Sequence, residues 1–187
     1  MPQLTPLTAS ALAVAAILLL PGCTGDAPLV LPSPESSTAP VFASDEEALA
    51  AAEAAYGEYL EASNAITKPD GKDPESIAEY VDAEYAPELI EGFRELRKGK
   101  LYLEGSSSFD TVELQQYADD FASPASIVLY LCLDVSQTRV VNANGVDVTP
   151  QRPERVPLEV GFETEDRSQA LLLTSSESWT GDNFCVA

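Results

Sequence analysis

The chain has 187 residues, with 31 Asp and Glu against 10 Lys and Arg, a formal charge of −21 and no histidine. Such a surface repels nucleic acid and anionic head groups, and it suits solubility or a basic partner. The missing histidine excludes His-dependent triads and most catalytic zinc sites; with no Gly-rich phosphate loop or GxSxG elbow, neither cofactor nor metal is implied.

The apolar run Ala11–Leu20 is ten residues long, too short for a bilayer core, which needs about 20, but suited to a secretory h-region. It closes on Leu20-Pro21-Gly22-Cys23. That tetrapeptide resembles a bacterial lipobox, with residues 1–22 as signal peptide and Cys23 as the diacylated mature N-terminus. Met1–Ser10 departs from the pattern by carrying no Lys or Arg, so either the α-amino group suffices or the true start lies elsewhere. The alternative is ordinary signal cleavage with Cys23 as an incidental thiol. Two acyl chains anchor firmly where one is marginal, which implies a membrane partner through Cys23 and an extracytoplasmic location.

Residues 23–44 hold the lipidation site and a spacer in which Pro28, Pro32, Pro34 and Pro40 alternate with Ser33, Ser36, Ser37 and Thr38. In polyproline II such a segment reaches roughly 60 Å. Residues 45–187 are then one domain. With Cys23 lipidated, Cys132 and Cys185 remain, an even number in an exported chain, and are expected to pair.

Ser44-Asp45-Glu46-Glu47 is a capping box. The helix after it carries Leu49, Ala52, Tyr56, Tyr59, Leu60 and Ser63 on one stripe. Pro69-Asp70-Gly71 breaks it, and Asp73-Pro74 starts a short helix through Ile77, Tyr80 and Val81. A third helix from Pro87 carries Leu89, Ile90, Phe93 and Leu96. Its basic cluster, Arg94, Arg97, Lys98 and Lys100, is expected to complement that helix's own dipole, with Gly99 as C-cap.

From Leu101 the period changes to two. Gly105 is a bend, and strands run through Phe109–Tyr117, Ile127–Val135, Val156–Glu163 and Ala170–Trp179, with a turn at Asn144-Gly145. Odd residues from Ile127 to Val135 form the apolar face, so Asp134 points outward. Asp119-Asp120 reads as a solvated turn, and Asp70-Gly71-Lys72-Asp73 lacks EF-hand spacing. Helices followed by about four antiparallel strands make an α+β fold, a curved sheet over one helical layer.

Cys132-Leu133-Asp134-Val135-Ser136, Arg139-Val140-Val141, Asn142-Ala143-Asn144-Gly145 and Trp179 before Cys185 carry a resemblance over residues 45–187. The segment resembles the cystatin-like, nuclear-transport-factor-2-like α+β cones, and is most similar to exported actinobacterial lipoproteins of that type. The resemblance implies a scaffold whose members include enzymes and binding-only proteins. Enzymes of the superfamily work inside the cone, where Tyr56, Tyr59 and Tyr80 are the candidate pocket residues. No catalytic residue is assigned. The favoured reading is a membrane-anchored, non-catalytic binding or accessory module for an envelope protein or small ligand. The alternative is a small isomerase or hydrolase-like enzyme using a Tyr/carboxylate pair in the cone.

Overall fold

The structure is a computed structural model that describes residues 39–186. The lipobox, Cys23 and most of the spacer lie outside the described residues.

Helix α1 spans Asp45–Ile66. Ser44 is extended, and its hydroxyl accepts the Glu47 N–H at 3.3 Å. The return bond of the capping box goes one residue further back, from the Ala43 N–H to Glu47 Oε2 at 2.8 Å. The buried stripe is Ala48, Ala52, Tyr56, Tyr59, Leu60, Ala62 and Ile66; Leu49 and Ser63 lie at its half-buried margin.

The C-terminal end of α1 is closed by side chains from elsewhere. Thr67 Oγ1 lies 3.2 Å from the Ser63 carbonyl and 3.1 Å from that of Asn64. Arg97 Nη2 donates to the carbonyls of Ile66 at 3.3 Å and Gly71 at 3.1 Å, and also to that of Lys72. Arg97 therefore serves the negative end of α1, where its own helix had been the expected beneficiary. Gly71 permits the fold-back, because a Cβ there would lie 2.3 Å from the Ile66 oxygen.

Residues Pro74–Glu79 form a 3-10 turn that buries Ile77. Helix α2 spans Ala86–Lys98, entered after Asp82 Oδ1 accepts the Tyr85 N–H at 2.7 Å. Its four predicted apolar residues, Leu89, Ile90, Phe93 and Leu96, are only half-buried.

Six strands follow: β1 (Leu101–Glu104), β2 (Ser108–Ala118), β3 (Ser126–Asp134), β4 (Arg139–Asn142), β5 (Arg155–Thr164) and β6 (Leu171–Ser178). Strands β2-β3-β5-β6 form one antiparallel sheet in that order, and β1 pairs with β4 separately. The chain leaves β1 at Gly105, whose φ of 81° and missing Cβ allow the Gln137 carbonyl to approach. Register shifts at Asp110/Glu113 and Leu114/Gln116 bend β2, giving the sheet its curvature.

Ile127, Leu129 and Leu131 of β3, Leu158, Val160 and Phe162 of β5, and Leu171 and Leu173 of β6 form one core with the α1 stripe. This is the α+β arrangement expected, helices first and a curved four-stranded antiparallel sheet after, with the small β1–β4 ladder added.

The opposite face carries the disulfide. Cys132 and Cys185 are bridged with Cα atoms 5.5 Å apart. Trp179 and Phe184 pack on Tyr130 of β3, at centroid separations of 4.9 and 5.8 Å. Arg155 Nε donates to the Cys185 carbonyl at 2.9 Å, so the tail is pinned by covalent, aromatic and polar contacts together.

Candidate functional site

Tyr56 and Tyr59, three positions apart on α1, bring their rings to 5.7 Å beneath the sheet. Tyr56 is 1% exposed and meets the Phe109 ring edge-on at 4.9 Å. Burial pushes both phenols well above their ordinary value; at Tyr56 the neighbouring phenols of Tyr59 and Tyr85 add to it, while Ser176 opposes it. These groups are protonated donors, not bases, at any physiological pH.

Tyr80 packs on the same core and lines an open groove on the β6 side of α1. It is half-buried beside β6, where its carbonyl accepts the Leu173 N–H at 3.0 Å. Tyr85, at the entry to α2, packs on this core too, and the sequence pattern did not mark it because no periodic stripe includes it. Burial raises the Tyr85 phenol, and the nearby carboxylates of Glu88 and Glu177 raise it further. Both glutamates are solvent-exposed. The interior around Tyr56 is otherwise filled by Leu, Ile, Val and Phe.

Open space lies on either flank of α1. Toward α2, a groove of about 470 Å³ runs between Tyr59, Ser63 and Thr67 on one side and Glu88, Leu89, Phe93 and Leu96 on the other. Toward β6, a groove of about 690 Å³ is floored by Ala50, Ala51, Ala54 and Ala55 with Leu171 and Leu172.

The spacer's end is clamped to the domain at a third place. Phe42, assigned by composition to the spacer, is 2% exposed and lies edge-on to Tyr117 at 5.8 Å. The Phe42 N–H donates to the Tyr117 hydroxyl at 3.1 Å, and the Val41 N–H to Asp119 Oδ2 at 2.9 Å. Gln169 Nε2 spans the Val41 carbonyl at 3.3 Å and Glu47 Oε1 at 3.1 Å. Asp119 is not the solvated turn residue expected: its side chain is 4% exposed and takes both Arg167 nitrogens, at 2.6 and 3.1 Å. Arg167 and then the Val41 amide hold its carboxyl well below the ordinary value. Asp120 does behave as a turn residue, accepting the Ala122 and Ser123 amides at 2.9 and 2.8 Å.

Asp134 lies on the outer face, as its strand parity required. It accepts the Ser136 N–H at 2.8 Å and sits 3.5 Å from Arg155 Nη1, so it orients a loop. Among the described residues no group of three or more His, Cys, Asp or Glu is placed to hold a metal ion, and no helix is long and apolar enough to cross a membrane.

No protein-family model matches the chain, and no curated protein matches it. Among solved structures, the intermembrane-space region of chloroplast protein ARC6 is similar over 71% of this chain and 97% of its own, at 10% identity and a TM-score of 0.54. A periplasmic fragment of TraM aligns over 69% of this chain and 98% of its own, at 12% identity and a TM-score of 0.35. A de novo designed β-sheet protein aligns over 74% and 93%, at 14% identity and a TM-score of 0.33. Of these three, the ARC6 region alone reaches likeness of fold.

Proposed function

We propose that this chain is a cell-envelope lipoprotein, held on the extracytoplasmic face of the membrane by a diacylated Cys23. At the end of its spacer it presents a non-catalytic binding or accessory domain of the cystatin/nuclear-transport-factor-2-like type. The observation that carries this reading is the cysteine pattern. Once Cys23 is set aside for lipid, the other two cysteines form a bridge, which persists in an oxidising compartment. The fold neighbour from an intermembrane space agrees with a domain working outside a cytoplasm.

The binding reading draws on the phenol cluster and the grooves. General acid–base work by a Tyr/carboxylate pair needs the two groups within hydrogen-bond reach. Tyr56 and Tyr59 feel only other phenols and Ser176, while both flanks of α1 stay open. Asp119, a largely buried carboxylate 3.5 Å from the Tyr117 phenol, is already saturated by Arg167 and backbone amides.

Detergent phase partitioning of the full chain, expressed in a bacterium that processes lipoproteins, tests the anchor. The wild type is expected in the detergent phase and Cys23→Ala in the aqueous phase. Equal partitioning of the two overturns it.

A further inference from the structure

We infer that the groove between α1 and β6 accepts a short, extended, basic segment of a partner protein as an added strand. This deepens the binding reading above by naming the surface and the partner's chemistry.

Strand β6 is an edge of the main sheet. The backbone of Leu173 points away from β5, because its N–H donates to Tyr80 and its carbonyl accepts from Asp82, both at 3.0 Å. That contact is a single parallel bridge between Val81 and Leu173. Leu171, two residues earlier in the same ladder, directs its N–H and carbonyl the same way, since backbone orientation repeats every second residue. There the bridging segment has already turned away into the 3-10 turn Pro74–Glu79, and the groove begins. A bare strand edge is a template for another strand.

The opposite wall allows a backbone to come close, because α1 offers Ala50, Ala51, Ala54 and Ala55 there. Charge selects the occupant. Glu47, Glu58, Glu79 and Glu165 line the groove with no Lys or Arg among its lining residues. Glu58, Glu79 and Glu165 are exposed and, among the described residues, make no ion pair. A neutral or acidic strand would desolvate these carboxylates without return, whereas alternating Lys or Arg would meet them and leave small apolar side chains on the alanines.

The test uses the full chain carrying Cys23→Ala in detergent, so that its outcome is independent of the lipid anchor. The probe is a fluorescent ten-residue peptide of alternating lysine and valine, followed by anisotropy, with a Lys/Ala helix-forming peptide of equal charge as comparison. The Lys/Val peptide is expected to bind more tightly than the helical one and to slow hydrogen exchange at the Leu171 amide. Glu58→Gln/Glu79→Gln should weaken it about tenfold. Glu113→Gln/Glu159→Gln, an equal charge change on the opposite face beside Tyr130, should leave it unchanged. Ala54→Trp and Ala50→Trp, melting like the parent, should block it. Equal losses from the two charge pairs, indifference to tryptophan, preference for the helical peptide, or an unprotected Leu171 amide would each overturn the inference. Should Cys23 prove unmodified in the native protein, the anchor fails while this result stands.

Discussion

The Asp119 carboxylate accepts the Val41 N–H at 2.9 Å across 78 residues of sequence, joining the spacer's last residues to the loop between β2 and β3. Beside it Phe42 is buried against Tyr117. Val41 and Phe42 are thus fixed to the domain before the chain enters α1 at Ser44. Phe42→Ala should cost about 3–5 kcal/mol, the usual penalty for emptying a buried phenylalanine site. Chemical denaturation of the two proteins measures it; a loss under 1 kcal/mol would mean that the clamp contributes little.

The clamp is also acid-sensitive, with a definite sign. Arg167 and the Val41 amide lower the Asp119 carboxyl in the folded state below its ordinary 3.8. Arg155, then Thr111, lower that of Asp110 to about 2. A carboxylate depressed by folding contributes stability above its unfolded pKa, and that stability is lost as pH falls through the folded one. Below about pH 4, therefore, the stability these ion pairs contribute declines, for Asp110 through about pH 2 and for Asp119 further down. Protonation elsewhere relieves repulsion in a chain of charge −21, so the wild-type curve alone mixes two effects. Asp119→Asn separates them: its melting temperature should lie below wild type at pH 7, with the gap narrowing steadily as pH falls below about 4. A constant gap would assign Asp119 no linkage.

The bridge from Cys132 to Cys185 closes a loop of 53 residues, which constrains the unfolded chain by about 4 kcal/mol in the chain-entropy treatment. Cys185→Ser should lower stability by that order and free the tail. Trp179 is the sole tryptophan and lies 4.9 Å from Tyr130, so its emission reports the release directly. An unchanged emission spectrum would mean that the aromatic contacts hold the tail unaided.

Gly71→Ala places a methyl 2.3 Å from the Ile66 carbonyl, against backbone that cannot rotate away. About 1–3 kcal/mol of destabilisation is expected, as for other overpacked sites. Arg97→Met should add to it less than additively, because both residues close the same helix end. A double-mutant cycle by thermal melting reads the coupling, and strict additivity would contradict a shared role.

Much of this fold was legible because its signals are local. The Ser44 box, the period-two apolar face of Ile127, Leu129 and Leu131, and the bends at Gly71 and Gly105 each follow from a few adjacent residues. Arg97 was read to the wrong helix because its cluster is contiguous in sequence, whereas the carbonyls it caps lie some 25 to 31 residues earlier. Asp119 and Phe42 were misplaced for the same reason. Composition marks them as turn and spacer, and only distant partners, Arg167 and Tyr117, explain their burial. The tyrosine site was half legible. Tyr56 and Tyr59 share a helical stripe, but Tyr85 is placed on the same core by the turn at Asp82, which no periodicity records.

The most direct measurement is the mass of the N-terminal peptide of the mature protein, isolated from membranes and digested with protease. A peptide beginning at Cys23 and carrying a diacylglyceryl group, with residues 1–22 absent, is the predicted result. A peptide that retains residues 1–22, or one whose Cys23 bears a free thiol, would contradict the tethered, extracytoplasmic reading.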